Sequence, residues 1–231
     1  MSIETIAPGV HSLSLGYVNA ILLDDDDGPV IVDTGVPDSA GKILAGFQEL
    51  GHAPEDVQKI IVTHKHVDHT GSLADLKSAT GAPAVMHPVD AASVRIGESI
   101  RPVKPSPGIF SKIMAVVMRM TSANLDPVTI EEEVNDGDKL AIAGGIEVLH
   151  TPGHSAGHIS LYLPRDGGIL IVGDAAINVM GLRYPPIFED MAAGMSSLQR
   201  LSALQFNTAA FMHGKSLNGA ASKRFLDKWS Q

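Results

Sequence analysis

The sequence predicts an α/β fold made of two mixed β-sheets packed face to face, with helices on both outer faces. Three observations predict it. Short apolar runs rich in Val, Ile and Leu alternate with helix-patterned stretches through the first half. The second half repeats that style without repeating the sequence, and no low-complexity linker divides the two. At 231 residues, 44% of them hydrophobic, the chain suffices for one substantial core, so a single domain over 1–231 is expected.

The elements follow in order. Residues 10–15 and 17–23 read as paired strands, 24–28 as a turn too acidic to bury, and Val30–Val32 as a third strand ending in Asp33-Thr34-Gly35. Asp38 or Ser39 caps a helix that runs to about Leu50, where Gly51 stops it. Residues 57–62 form a strand and 69–79 a helix, then 84–87 a strand and 88–97 a short helix. Three prolines make 101–108 a loop, after which Phe110, Ile113, Met114, Val117 and Met118 form one apolar helical stripe over 109–120. Strands are expected at 139–143, Ile146–His150, 158–163, 169–172 and 209–212, and helices at 196–204 and from about Ala220.

Composition narrows the function classes. Lys plus Arg number 17 against 26 for Asp plus Glu, a formal charge of −9 that disfavours nucleic acid as a partner. With no cysteine, thiolate sites and disulfides are excluded, and any metal must be held by imidazole, carboxylate or water. No basic leader opens the chain and no stretch approaches about 18 uninterrupted apolar residues. A cytoplasmic protein without membrane contact is expected.

The densest signal is His64-Lys65-His66-Val67-Asp68-His69, which leaves a short apolar strand and enters a helix. In an extended segment His64 and His66 point to one side and chelate one ion, while Asp68 and His69 swing toward a second point as the helix begins. Three later residues have the same setting, a strand end flanked by glycine: His154, Asp174 and His213. Together they make seven candidate metal ligands.

This pattern, His-x-His-x-Asp-His followed by a separate His, Asp and His, resembles the metallo-beta-lactamase superfamily over 33–213. The resemblance implies an αββα sandwich, with His64, His66 and His154 on one metal, Asp68, His69 and His213 on the other, and Asp174 bridging. It makes Asp33 a carboxylate that orients a ligand histidine. It also implies a binuclear hydrolase in which a bridging hydroxide attacks a carbonyl, with Asp68 orienting the nucleophile and carrying a proton to the leaving group. Zinc is the expected metal; iron and manganese suit the same ligands.

Local departures choose among reactions. The true beta-lactamases do not use a bridging Asp at the position of Asp174. Glyoxalase II and the persulfide dioxygenases follow that Asp with a Gly-Cys-Gly-Arg-like segment, whereas here the run is Asp174-Ala175-Ala176-Ile177. A lactone or acyl ester is therefore the expected substrate, with a thioester next. A mononuclear iron dioxygenase acting on a persulfide and a non-enzymatic metal-binding relative are the remaining alternatives.

Tyr184 is a candidate catalytic phenol, against an ordinary half-buried tyrosine. The other histidines, His11, His52, His87, His150 and His158, read as surface or hydrogen-bonded structural residues, with His158 the one to watch because its loop carries His154. The stripe over 109–120 is a core helix, a lid inserted at about 100–125, or a homodimer contact.

Overall fold

The computed structural model describes residues 2–99, 102–109, 111–113, 115–116 and 125–230. Phe110, Met114, Val117 and Met118 of the expected apolar stripe lie outside the described residues; those described between 109 and 116 are helical.

Two large sheets form the expected sandwich. The first has seven strands: β1 (Ser2–Ala7), β2 (Val10–Ser14), β3 (Asn19–Leu23), β4 (Val30–Val32), β5 (Lys59–Ile61), β6 (Ala84–Met86) and β8 (Glu132–Glu133), in that spatial order. Antiparallel hairpins build β1 to β4, and β4, β5, β6 and β8 run parallel. The second sheet runs β15 (Leu217–Asn218), β14 (Thr208–Ala210), β12 (Ile169–Ile171), β11 (Ile159–Leu163), β10 (Ile146–His150) and β9 (Lys139–Leu140). A small ribbon pairs β7 (Lys104–Pro105) with β13 (Ile187–Phe188).

Side-chain alternation shows why the second sheet is buried on both faces. Ile169 and Ile171 join the core between the sheets, while Leu170 and Val172 face the other way. Ala210 and Met212 split from Ala209 and Phe211 in the same fashion. The outer cluster is closed by Leu198 and Leu201 of helix α5 (Met191–Ser202) and by Phe225 and Trp229 of α6 (Ala221–Trp229). On the other side, α1 (Ala40–Glu49) contributes Ile43 and Phe47, and α3 (Leu73–Thr80) contributes Leu73 and Leu76.

Several boundaries differ from the sequence reading. The helix expected over 69–79 is two pieces, α2 (Val67–Thr70) and α3, and the helix over 88–97 is α4 (Pro88–Val94). The strand over 139–143 stops at Leu140, where the chain bends through 141–142 into a turn in which Ala143 adopts a left-handed φ of 50°. The helix expected at 196–204 starts at Met191, where Asp190 Oδ1 accepts the N–H groups of Ala192 and Ala193. The edge strand β1 escaped notice because its largely exposed residues lack a clear alternation.

The C-terminal ends of β4, β5, β12 and β14 gather at one edge of the sandwich, and four hydrogen bonds pin the two sheets together there. Asn19 Nδ2 donates to Phe211 O and Gly214 O, both at 2.9 Å. The Asn19 N–H donates to Met212 O and the Ile159 N–H to Thr63 O.

Candidate metal centre

The turns beyond β5, β12 and β14 and the one between β10 and β11 deliver the candidate ligands, and the turn beyond β4 delivers Asp33. Beyond β5 the chain bends at Thr63 and Lys65, His66 is extended with φ −64° and ψ 151°, and the chain then enters α2, which carries Asp68 and His69. Asp174 follows β12 across a turn at Gly173, whose φ of 60° suits glycine and where a Cβ would fall 2.4 Å from His158 Nε2. His154 comes from the 151–158 turn between β10 and β11, and His213 from the end of β14.

All seven expected ligands converge. Three overlapping groups could each hold an ion: His64, His66 and His154; His64, His69 and Asp174; and Asp68, His69 and His213. Asp174 Oδ2 is the shared point, 3.4 Å from His154 Nε2, 3.7 Å from His69 Nε2 and 3.2 Å from His213 Nε2. His64 Nε2 lies 3.1 Å from His66 Nδ1, and the His154 ring stands edge-on to both.

Behind the ligands, the far ring nitrogens are held by the chain. Buried Asp33 contacts His69 Nδ1 at 2.7 Å, while its two oxygens also accept the N–H and the hydroxyl of Thr63. Thr63 Oγ1 is in turn 3.0 Å from His64 Nδ1. His154 Nδ1 donates to Ile187 O at 3.0 Å, and His213 Nδ1 donates to Tyr17 O at 2.9 Å. These partners fix each ring so that its other nitrogen faces the cluster.

The electrostatics divide the centre in two. Burial, then neighbouring imidazoles, hold His64 and His66 well below the usual histidine value. Burial also lowers His154, against the pull of Asp174. At the other end burial opposes charge but the carboxylates prevail: Asp68, Asp33 and Asp174 lift His69 to about 9, and Asp174 and Asp68 lift His213 to about 10. Burial would raise Asp174, yet His213 and His69 hold it well below the ordinary carboxylate range.

The donor set fits divalent cations. His66 Nε2, His69 Nε2, His154 Nε2 and Asp174 Oδ1 are buried with no hydrogen-bond partner. Unpartnered buried polar atoms are costly, and converging imidazoles and carboxylates lose that cost on a shared cation.

Three further features surround the centre. Lys65, between two ligands, is fully buried, with Nζ 2.6 Å from Glu189 Oε1 and 4.0 Å from Asp90 Oδ1. Asp90 also accepts from the Lys65 N–H, the Ser155 hydroxyl and the Gly157 N–H, and Glu189 Oε2 accepts the Ala156 N–H. This network ties the His154 turn to the His64 segment, and no sequence spacing announced it. Second, His158 holds the Asp174 backbone: its Nε2 accepts the Asp174 N–H at 2.8 Å while Nδ1 meets the Thr151 hydroxyl. Burial first, then His154, bring it down to about 3. Third, the Tyr17 ring stacks on His213 with centroids 6.0 Å apart. Tyr17 was missed because a lone aromatic in a hairpin turn carries no chemical signature.

Tyr184 sits elsewhere: its ring meets Phe188 and Trp229, and it lines a cavity that none of the seven candidate ligands lines. The remaining histidines are hydrogen-bonded or stacked. His11 and His52 bracket Asp24 at 3.0 and 3.1 Å, so the acidic turn is anchored at its start, and His87 stacks on His150. Among the described residues, no helix is long and apolar enough to cross a membrane.

A sequence model of the metallo-beta-lactamase superfamily matches residues 13–213, and the chain belongs to that family of metallo-hydrolases. A probable metallo-hydrolase, YflN, of Bacillus subtilis is 26% identical over 232 residues, covering 92% of this chain and 86% of its own. An N-acyl homoserine lactonase of Bacillus cereus is 27% identical over 225 residues, covering 86% of this chain and 79% of its own. Among solved structures, a beta-lactamase from Chitinophaga pinensis superposes with a TM-score of 0.75 at 23% identity, over 100% of this chain and 92% of that one. That likeness speaks to the fold alone.

Proposed function

We propose that this protein opens a lactone or acyl ester with two divalent ions, zinc first among them. The observation that carries the reading is the shared carboxylate, Asp174, placed between a three-histidine group and an Asp-His-His group. His64, His66 and His154 would hold one ion, Asp68, His69 and His213 the other, with Asp174 common to both. Ions held there would polarise a substrate carbonyl and acidify a water.

The chain's own groups supply the rest. Asp68 is the least enclosed of the three carboxylates, its side chain 14% exposed against 5% for Asp174 and 0% for Asp33. From there it accepts a proton from the attacking water and delivers it to the leaving alkoxide. Asp33, Ile187 O and Tyr17 O keep the imidazoles from turning. The lactonase relative supports an ester-type substrate.

The test is acid release by the zinc-loaded protein offered an acyl lactone and an acyl thioester of matched chain length. Faster lactone opening is expected. Preference for the thioester makes the protein a thioesterase, and silence on both, with full metal loading, removes the hydrolase reading.

A further inference from the structure

A cavity of about 600 Å³, within the size range of small-molecule sites, is lined by residues that follow or precede the candidate ligands in the chain. Its walls are extensions of the ligand segments. Ile177 follows Asp174 by three residues, and the neighbouring Asn178 N–H donates to His213 O at 3.0 Å. Pro186 precedes Ile187, whose carbonyl holds His154. The opposite wall is Ser106, fastened to the 185–186 segment through the Pro185 and Pro186 carbonyls, and Ile109 beyond it.

The lining has an uneven chemistry. Ile177, Met180, Leu182 and Tyr184 make it largely apolar, and the two charged side chains among the described lining residues are both cations, Arg183 and Lys228. Neither has a carboxylate partner among the described residues; Arg183 Nη2 donates to the Met180 carbonyl, and Asp227, next to Lys228, is taken by Lys223 at 2.8 Å. In a chain of formal charge −9, two uncompensated cations facing one apolar cavity mark a place for an anion. Arg183 is fixed there by two backbone bonds to Ile177, each 3.0 Å. A guanidinium and an ammonium at an apolar wall suit an oxyanion at the end of a hydrocarbon arm.

We propose that the cavity selects esters or lactones whose acyl arm ends in an anionic group, the arm lying on Ile177, Met180, Leu182 and Tyr184 and the anion meeting Arg183 and Lys228. This names the substrate class of the hydrolase reading and rests on it.

The experiment compares two acyl esters of equal chain length, one ending in a carboxylate and one in its methyl ester, on the zinc-loaded protein. It is paired with calorimetric binding of decanedioate to the same protein. The expected result is a kcat/KM at least about tenfold higher for the carboxylate ester. That ratio falls toward one in Arg183→Gln and in Lys228→Gln, and decanedioate binding weakens in step. The second variant changes an exposed helix residue, so it reports even if the first disturbs the 177–183 turn. If neither ester is cleaved but decanedioate binds and both substitutions weaken it, the anion site stands and the hydrolase reading falls. Equal rates for the two esters overturn the proposal. So does decanedioate binding that neither substitution alters, which would place the probe on the metals.

Discussion

The backbone N–H of Asp174 donates to Nε2 of His158 at 2.8 Å, so a histidine outside the candidate ligand groups fixes the carboxylate that the His154 and His213 rings share. Replacing His158 with Ala removes that acceptor and leaves a buried N–H unpaired. Zinc affinity should drop about 10- to 100-fold, the usual cost of losing a partner behind a ligand. Chelator competition measures it; unchanged affinity would make His158 a packing residue only.

Lys65 and Glu189 form a buried ion pair, and breaking one side strands the other charge. Lys65→Met should cost about 3–5 kcal/mol of unfolding free energy, and Lys65→Met with Glu189→Leu should recover much of it. Asp90 tolerates the double change because three donors besides Lys65 Nζ already serve it. Urea unfolding of the metal-free proteins decides, and a double variant no more stable than the single one contradicts the pairing.

The raised values of His69 and His213 imply proton-linked metal uptake. With values of about 9 and about 10, both imidazoles carry a proton at pH 7 in the metal-free protein. A metal requires them neutral, so loading at pH 7 should release roughly two protons, and affinity should climb with pH until about 9 to 10. The sign follows from the direction: a raised value means the metal-free state holds the proton, which competes with the ion more strongly as pH falls. Calorimetry in buffers of different ionisation heat counts the protons; a count near zero contradicts the coupling.

Substitution of two phenols tests which of them acts in turnover. Tyr184→Phe is expected to lower turnover with metal content unchanged, and unaltered turnover removes it from the chemistry. Tyr17 is stacked on His213 and 65% exposed, so its ring borders the open side of the centre. If its hydroxyl donates to the developing oxyanion, Tyr17→Phe costs about 10²-fold in kcat. Parallel kcat and KM values for both variants assign the role.

The convergence of the seven side chains was legible in the sequence because they stand at or just beyond strand ends with short-range signatures, among them two histidines two residues apart, then Asp68 and His69 on a helical turn. The sandwich was legible for a similar reason, since Ile169-Leu170-Ile171-Val172 is apolar on both faces of its strand. What escaped depends on long-range contact. Lys65 looks like a solvated spacer until Asp90 and Glu189, 25 and 124 residues away, fold against it. Tyr17 gains meaning only when the β2–β3 hairpin meets the end of β14. The start of α5 was overlooked because Gly194 interrupts its pattern, although Asp190 supplied an N-cap signal.

The central claim is that seven side chains hold a pair of ions that together drive ester opening. Its most direct test is to titrate the metal-free protein with zinc while following acid release from an acyl lactone after each addition. The rate should rise until roughly two ions are bound per chain, and Asp174→Ala should bind one fewer and lose turnover. Activity that saturates at one ion per chain, or a variant that still binds two, would contradict it.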